Sequence, residues 1–471
     1  MQRLLFIFAV FMTLGAMAQN KQLLYGFDKV PQSLLLNPGA RVSQKAHFGI
    51  PFLSQIHVNA GSTGVTVFDI FKEDESSIND RIREQIFSLN NKDFFTANQQ
   101  LEILNFGWKN KNGTYFSGGI YQELDFMLYF PKDLAVLAWE GNRNYINNPF
   151  DFSDLTFTGE VITAFHFGLN KEVNKNLTVG IRGKIYSSII DFRSTNNSGT
   201  FLTREGEGLD NFYEHSINNA DVSIQTSGYS SLREMDGSDE VVKELLGRTL
   251  LGGNLGVGID IGATYRPNEL WEYSASMLDL GAIFYTKDVE NYSAKGSYAL
   301  QGIELIFPPI VNGEPGIPYY DTIGDDLKEA IPIDTLSNSY TRLRPLKMNA
   351  SIKRNFGRRV GSESCDCLKM GGLQDYNQAV GVQLYNIFRP KGPQLAGTLF
   401  YQRRFGRYLS AKATYTADPF SYTNIGFGIA ADIWKINFYL AADNLLSYSN
   451  LAKSNGVSLQ FGLNIKIKEE E

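Results

Sequence analysis

Apolar and polar residues alternate along much of this chain. In residues 254–265, NLGVGIDIGATY, the positions Leu255, Val257, Ile259, Ile261, Ala263 and Tyr265 oppose Asn254, Gly256, Gly258, Asp260, Gly262 and Thr264. The last such run, VSLQFGLNIKI at 457–467, sets Val457, Leu459, Phe461, Leu463, Ile465 and Ile467 against Ser458, Gln460, Gly462, Asn464 and Lys466. A period of two sustained this long predicts a β-strand with one greasy and one polar face. Similar runs occupy 177–185, 346–353, 409–416 and 436–443. Several approach the roughly 9–11 residues of a tilted transmembrane strand.

Turn signals separate the runs. Asn170 to Asn176, Arg266-Pro267-Asn268, Phe405-Gly406-Arg407 and Asp418-Pro419 predict tight connections, whereas 193–253 and 306–340 have only weak periodicity and predict long ones. Two helices are expected between strands. Ile78, Ile82 and Ile86 recur at helical spacing behind Ser76-Ser77, and residues 238–250 read the same way behind Ser238.

Alternation alone also fits a soluble secreted β protein, a sandwich or propeller. The polar face argues for the membrane. A face open to bulk water usually carries Lys, Glu and Thr, but here Gly, Ser, Asn and Thr crowd it, with thinly scattered charge. The apolar face runs on to aromatic ends such as Tyr265, Trp271, Tyr415 and Trp434, as in an interfacial girdle. The fold class expected is all-β: a single transmembrane antiparallel β-barrel of about 14 strands (range roughly 12–16), with a few short helices in its loops. Its last strand, 457–467, pairs with an early strand to close the wall. Inward charges would then be Arg182, Lys184, Asp260, Lys347, Lys353, Lys412, Asp432, Asp443 and Lys466. In an open pore such residues tune selectivity; in a filled barrel they pair and plug it.

Composition narrows the picture. Among 471 residues there are 33 Phe, 24 Tyr and 44 Gly, a load that suits strands and turns. A net charge of −6 argues against nucleic acid as a partner. The opening MQRLLFIFAVFMTLGAMAQN, with Arg3, an apolar run to Leu14 and Ala16-Met17-Ala18, predicts a cleaved secretory signal over residues 1–18. Beyond it no stretch is long and apolar enough for a spanning helix, so membrane residence requires a closed barrel. The barrel is expected over 46–471, exported to the outer membrane of a Gram-negative cell.

Little points to chemistry. Cys365-Asp366-Cys367 is a thiol pair without nearby ligands to complete a metal site. Outside the cytosol it is expected to oxidise to a disulfide, stapling a loop on the periplasmic side. A ring this small would be strained and redox-labile. His47, His57, His166 and His215 do not cluster in sequence, and there is no G-x-S-x-G, H-E-x-x-H or phosphate loop. No catalytic residue, cofactor or metal is expected, and the chain reads as a non-enzyme. The basic clusters Lys353–Arg359 and Gln402–Arg407 flank turns, where they meet anionic headgroups, an anionic partner, or only water.

SLLLNPGA (Ser33 to Ala40) resembles the Asn-Pro-small element near the mature N-terminus of FadL-type outer-membrane transporters. YRPNELWEYSASMLDLGAIFY (Tyr265 to Tyr285) and GIPFLSQIHVNAGSTG (Gly49 to Gly64) are similar to an uncharacterised family of Bacteroidota outer-membrane barrels, related in layout to FadL and to type IX secretion barrels. The chain departs from many such barrels in ending KIKEEE rather than on an aromatic residue. The resemblance implies a signal-bearing outer-membrane barrel, with residues 19–45 folding into the lumen as a small hatch. It points to a passive, FadL-like channel for a small or amphipathic solute. The alternative is a non-conducting structural or secretion-associated barrel that docks an outer-membrane or periplasmic protein. Outer-membrane lipid is a partner under either expectation.

Overall fold

A computed structural model describes residues 21–206, 212–235, 237–300, 320–359, 376–406 and 408–468. In chain order the strands are β1 (Gln44–Gly49), β2 (Ile56–Ser62), β3 (Phe94–Lys109), β4 (Tyr115–Tyr129), β5 (Phe150–Asp151), β6 (Phe157–Asn174) and β7 (Leu177–Glu205). Then come β8 (Tyr213–Ser227), β9 (Asn254–Tyr265), β10 (Trp271–Tyr285), β11 (Asn291–Leu300), β12 (Ile333–Leu336), β13 (Tyr340–Leu343) and β14 (Lys347–Arg359). The last six are β15 (Tyr376–Arg389), β16 (Gly392–Phe405), β17 (Leu409–Ala417), β18 (Asn424–Ile433), β19 (Ile436–Asp443) and β20 (Gly456–Lys468).

Antiparallel pairing runs from β3 through β4, β6, β7, β9, β10, β14, β15, β16, β17, β18 and β19 to β20. β20 and β3 both pair with β1 and β2, which closes the ring. β1 and β2 form one wall position, as do β13 and β14, so the barrel has 14 strands. The final alternating run therefore does seal the wall against the first one. Between β1 and β2 the chain bulges outward at Phe52, yet the wall stays bonded. Ile50 N donates to Leu463 O at 3.1 Å, Leu463 N to Leu53 O at 2.8 Å, and Glu102 N to Gln55 O at 2.9 Å.

The two faces answer the question the alternation posed. Along β9, Leu255, Val257, Ile259 and Ile261 point outward and are exposed, while Asn254 and Asp260 point inward and are buried. Along β20, Leu459, Ile465 and Ile467 are exposed, and Ser458, Gln460, Asn464 and Lys466 are buried. A continuous band of exposed aliphatic side chains is far larger than a soluble monomer displays, and it fits hydrocarbon. Among the described residues no helix is long and apolar enough to cross a membrane.

One end of the barrel carries tight turns, such as 175–176, 266–270 and 434–435. The other carries the long connections, including 63–93 and 130–156. Residues 193–253 are not the loop expected. β7 pairs with β9 through Ser188, leaves the barrel, and pairs with β8 from Asp191 onward. β8 pairs with β11, and β11 with β12, making a sheet that stands above the long-loop end. Outside lipid neither face of these strands needs to be uniformly apolar, so the alternation that marks the wall is missing there. The helix Ile78–Ser88 forms behind Ser77, whose hydroxyl accepts from Asp80 N. The helix Ser238–Gly247 begins at Ser238 itself, with Gly237 at the cap position. The turn expected from Asn170 is shorter, because β6 continues to Asn174.

Candidate functional site

The lumen holds the protein's own N-terminal segment. Residues 21–40 descend through successive turns, with Phe27 N bonded to Leu24 O, Val30 N to Phe27 O, Ser33 N to Val30 O and Leu36 N to Ser33 O. Pro31 starts a short 3-10 helix, Pro31–Leu35, where its fixed φ and missing N–H cost nothing. Leu24, Tyr25, Phe27, Val30 and Leu36 pack with Leu278, Ala430 and Tyr439 of the wall into a small apolar core inside the barrel.

A segment without regular structure leaves carbonyls unpaired, and burying them unpaired is costly. Here wall side chains supply the donors. Arg182 reaches Leu34 O and Leu35 O; Lys412 reaches Gln22 O and Tyr25 O; Asn437 and Lys466 reach Lys29 O. Asn170 donates to Pro38 O at 2.6 Å and Ala40 O at 2.8 Å, and Ser276 to Leu36 O at 2.6 Å. Gln383 donates to Gln22 O at 2.6 Å. Side chains of the segment join in: Gln32 bonds Glu102 and Asn464, Tyr25 bonds Ser274, and Asp28 pairs with Lys353. Three glycines permit the close approach. A Cβ on Gly180 would sit 2.1 Å from Pro38 O, one on Gly262 2.1 Å from Asn37 Oδ1, and one on Gly39 2.3 Å from Gly262 O.

Above the segment, buried charges of alternating sign are connected into one chain. Arg182 meets Asp260 at 3.1 Å; Lys184 bridges Asp260 at 2.9 Å and Asp279 at 2.6 Å. Lys347 bridges Asp279 at 2.9 Å and Glu123 at 3.1 Å, and Arg344 continues from Glu123 to Glu160. Arg342 closes the chain between Glu160 and Asp191. Arg389 grips Asp125 with both terminal nitrogens nearby. Each charge of this chain, and of the Arg389–Asp125 pair, thus has an opposite-sign neighbour, the condition on which a desolvated ion is tolerated.

The space left is small. One cavity of about 50 Å³ is lined by Lys21, His57, Gln100, Glu123, Lys347 and Arg389 among others. A second of about 40 Å³ lies between Lys21, Leu35, Tyr121 and Lys184. Each has room for a few waters.

Of the nine inward candidates, eight are buried and Lys347 is nearly so. Arg182, Lys412 and Lys466 hold carbonyls of residues 21–40, and Lys353 holds Asp28. Lys184, Asp260 and Lys347 belong to the charge chain, and Asp432 pairs with Lys466 at 3.1 Å. Asp443 is buried at the long-loop end of β19. Cys365 and Cys367 lie outside the described residues. The four histidines do not meet in one cluster, although His47 and His166 both lie beside Asn105. His47 sits between Tyr115 and Asn105, His57 near Ser458, and His215 near Asn142 and Thr203. His166 has no hydrogen-bond partner among the described residues. Nor, among those residues, do three His, Cys, Asp or Glu side chains meet as a metal site would require.

Sequence reasoning missed Glu123, Asp125, Glu160, Asp191, Asp279, Arg342, Arg344 and Arg389. On β4 the inward face also carries Tyr115, Tyr121, Met127 and Tyr129, which hides its two carboxylates among large apolar groups. Asp279 sits at a bulge with φ +62°, where the register with β9 shifts, so its parity cannot be read from the alternation.

The model of a family of unknown function, DUF5723, matches residues 38–443. No curated protein matches the sequence. Among solved structures, the chain is similar to the Ralstonia pickettii toluene transporter TbuX, with 11% identity and a TM-score of 0.41 over 94% of this chain and 99% of that one. A Pseudomonas aeruginosa FadL homologue gives 11% identity and a TM-score of 0.43 over 97% and 100%. The P. putida toluene transporter TodX gives 8% and 0.37 over 93% of each chain. At these values the ligands named for those proteins do not carry over to this chain.

Proposed function

We propose that this chain, which belongs to the DUF5723 family of unknown function, is an outer-membrane barrel closed by its own N-terminal segment. On this reading it is a passive channel that passes a small polar solute when residues 21–40 leave their seat. The observation that carries the reading is the chemistry of that seat. Wall donors such as Arg182, Lys412, Asn170 and Gln383 hold the segment through its carbonyls, with reversible hydrogen bonds. Once vacated, those donors and the charge chain would face water, and a wall of this polarity favours a hydrophilic solute over a hydrocarbon. A 14-stranded wall emptied of its contents is wide enough for side chains to leave a channel.

The sheet formed by β8, β11 and β12 with the end of β7 favours a second reading, a barrel that conducts nothing and presents this sheet to a protein partner. Liposome swelling separates the two. Protein reconstituted in liposomes should admit small sugars and amino acids and exclude solutes above a size limit. Liposomes that remain osmotically tight to every polar solute, while a protein partner co-purifies, would favour docking.

A further inference from the structure

The outer wall near the tight-turn end carries cations where a lipid-facing surface ordinarily carries none. Outward residues stand in rows across β10, β14, β15, β16 and β17. One row reads Tyr273, Ile352, Val382, Leu399 and Tyr415, apolar but for its phenols. The next row towards the turns reads Trp271, Arg354, Val380, Tyr401 and Ala413. Below it come Phe356, Gln378, Arg403 and Ala411. Arg354 and Arg403 are both exposed, and neither has a carboxylate partner among the described residues. Each lies over a ring instead. The Arg354 guanidinium is 5.8 Å from the Trp271 centroid, and that of Arg403 is 5.0 Å from Phe405. Tyr401 donates its hydroxyl to Gln378 Oε1 at 2.8 Å, which leaves the Gln378 amide nitrogen as a donor between the two arginines.

We infer that this patch binds the headgroup phosphate of an anionic phospholipid in the inner leaflet. The inference rests on the outer-membrane reading above, in which the tight turns face the periplasm. Adjacent strands are about 4.8 Å apart and rows about 7 Å apart, so the two arginine backbones stand roughly 12 Å from each other. That span lets two long guanidinium side chains converge on one phosphodiester from either side. Val380 and Gln378 of β15 lie between them, and Ile352, Val382 and Leu399 offer the acyl chains an apolar track directly above. Rings beneath the guanidiniums hold them at headgroup depth without neutralising them. Because no carboxylate among the described residues balances this patch, a net-anionic lipid is favoured over a zwitterionic one with the same phosphate.

The test uses the full chain reconstituted in nanodiscs of phosphatidylethanolamine with a minority of phosphatidylglycerol, then native mass spectrometry of the retained lipid. Wild-type protein should retain phosphatidylglycerol preferentially. Arg354→Gln and Arg403→Gln should each lower that preference about fivefold, as expected for one basic residue at the membrane surface. The double variant should abolish it, while Lys435→Gln, at a separate turn of the same rim, should leave it unchanged. Equal retention of both lipids by wild type, or a preference that survives R354Q/R403Q, would overturn the inference. Displacement of the lipid by inorganic phosphate alone would also do so, since the site would then recognise a free anion. Heat-modifiable gel mobility is scored on every variant, so a barrel that fails to form is seen separately from a barrel that binds no lipid.

Discussion

Replacing Arg182 by Met tests how the segment is held. The Arg182 side chain is only 1% exposed, and it joins the wall to the segment through Leu34 O, Leu35 O and Asp260. Methionine keeps much of the volume and removes the donors. Asp260 is not left alone, because Lys184 stays at 2.9 Å and Asp279 N donates to it at 2.8 Å. The loss therefore falls mainly on the two carbonyls. A net contribution of about 1.5 kcal/mol for each hydrogen bond from a charged donor gives about 3 kcal/mol, or roughly a hundredfold in the ratio of seated to unseated segment. Hydrogen exchange followed by peptide mass spectrometry reads this directly. The amides of Leu36, Asn37 and Ala40, bonded within the segment, should exchange about a hundredfold faster. Those of β7 and β9 should hold their wild-type rates. Unchanged exchange in residues 33–40, or an equal loss across the wall strands, would refute the assignment of Arg182 as an anchor of the segment.

Gly180→Val places a side chain where Pro38 O now lies, so residues 21–40 should become protease-sensitive while heat-modifiable mobility is retained. Resistance equal to wild type would show that the close approach is dispensable. Arg344→Met removes a link from the charge chain and leaves Glu160 with Arg342 alone, at 3.6 Å. Breaking a buried pair by removing one partner costs about 3–5 kcal/mol, so the folded gel band should disappear at a markedly lower temperature. In the turn at the long-loop end, burial pushes the Asp418 carboxyl up to about 6, although Asn424 Nδ2 and the amides of Phe420 and Ser421 donate to it. A raised folded-state value means that the native turn binds the extra proton. Its stabilisation is present below the unfolded value near 4 and is lost as pH rises through 6. Exchange of the 418–423 amides, corrected for intrinsic rate, should thus accelerate between pH 4 and 6, and a flat profile would contradict the burial of this carboxyl.

The wall was legible in the sequence because lipid imposes a strict rule on it. Every second residue of β9, β19 and β20 must be apolar, and their alternation coincides with the strands observed, Asn254–Tyr265, Ile436–Asp443 and Gly456–Lys468. The sheet above the barrel was not legible, because β8 and the end of β7 are free of that rule and read as a loop. Inward charges on clean strands, such as Arg182, Asp260 and Lys412, were found from parity alone. The charges of β4, β6 and β13 that extend the chain, Glu123, Glu160 and Arg342, were not. Inward Tyr115 and Tyr121 blur one face, and the break at Arg344-Pro345-Leu346 interrupts another. Nor does parity reveal that Arg182 and Lys412 serve the chain's own carbonyls, since a hydrogen bond across more than 140 residues leaves no local pattern.

Single-channel recording in planar bilayers, comparing wild type with a variant lacking residues 24–40, tests the closed-lumen reading most directly. Wild-type protein is expected to show rare, brief openings, which suffice for liposome swelling, and the deletion variant, folded by gel mobility, to show sustained ohmic conductance. A folded deletion variant that opens no more than wild type would contradict the claim that this segment is what closes the barrel.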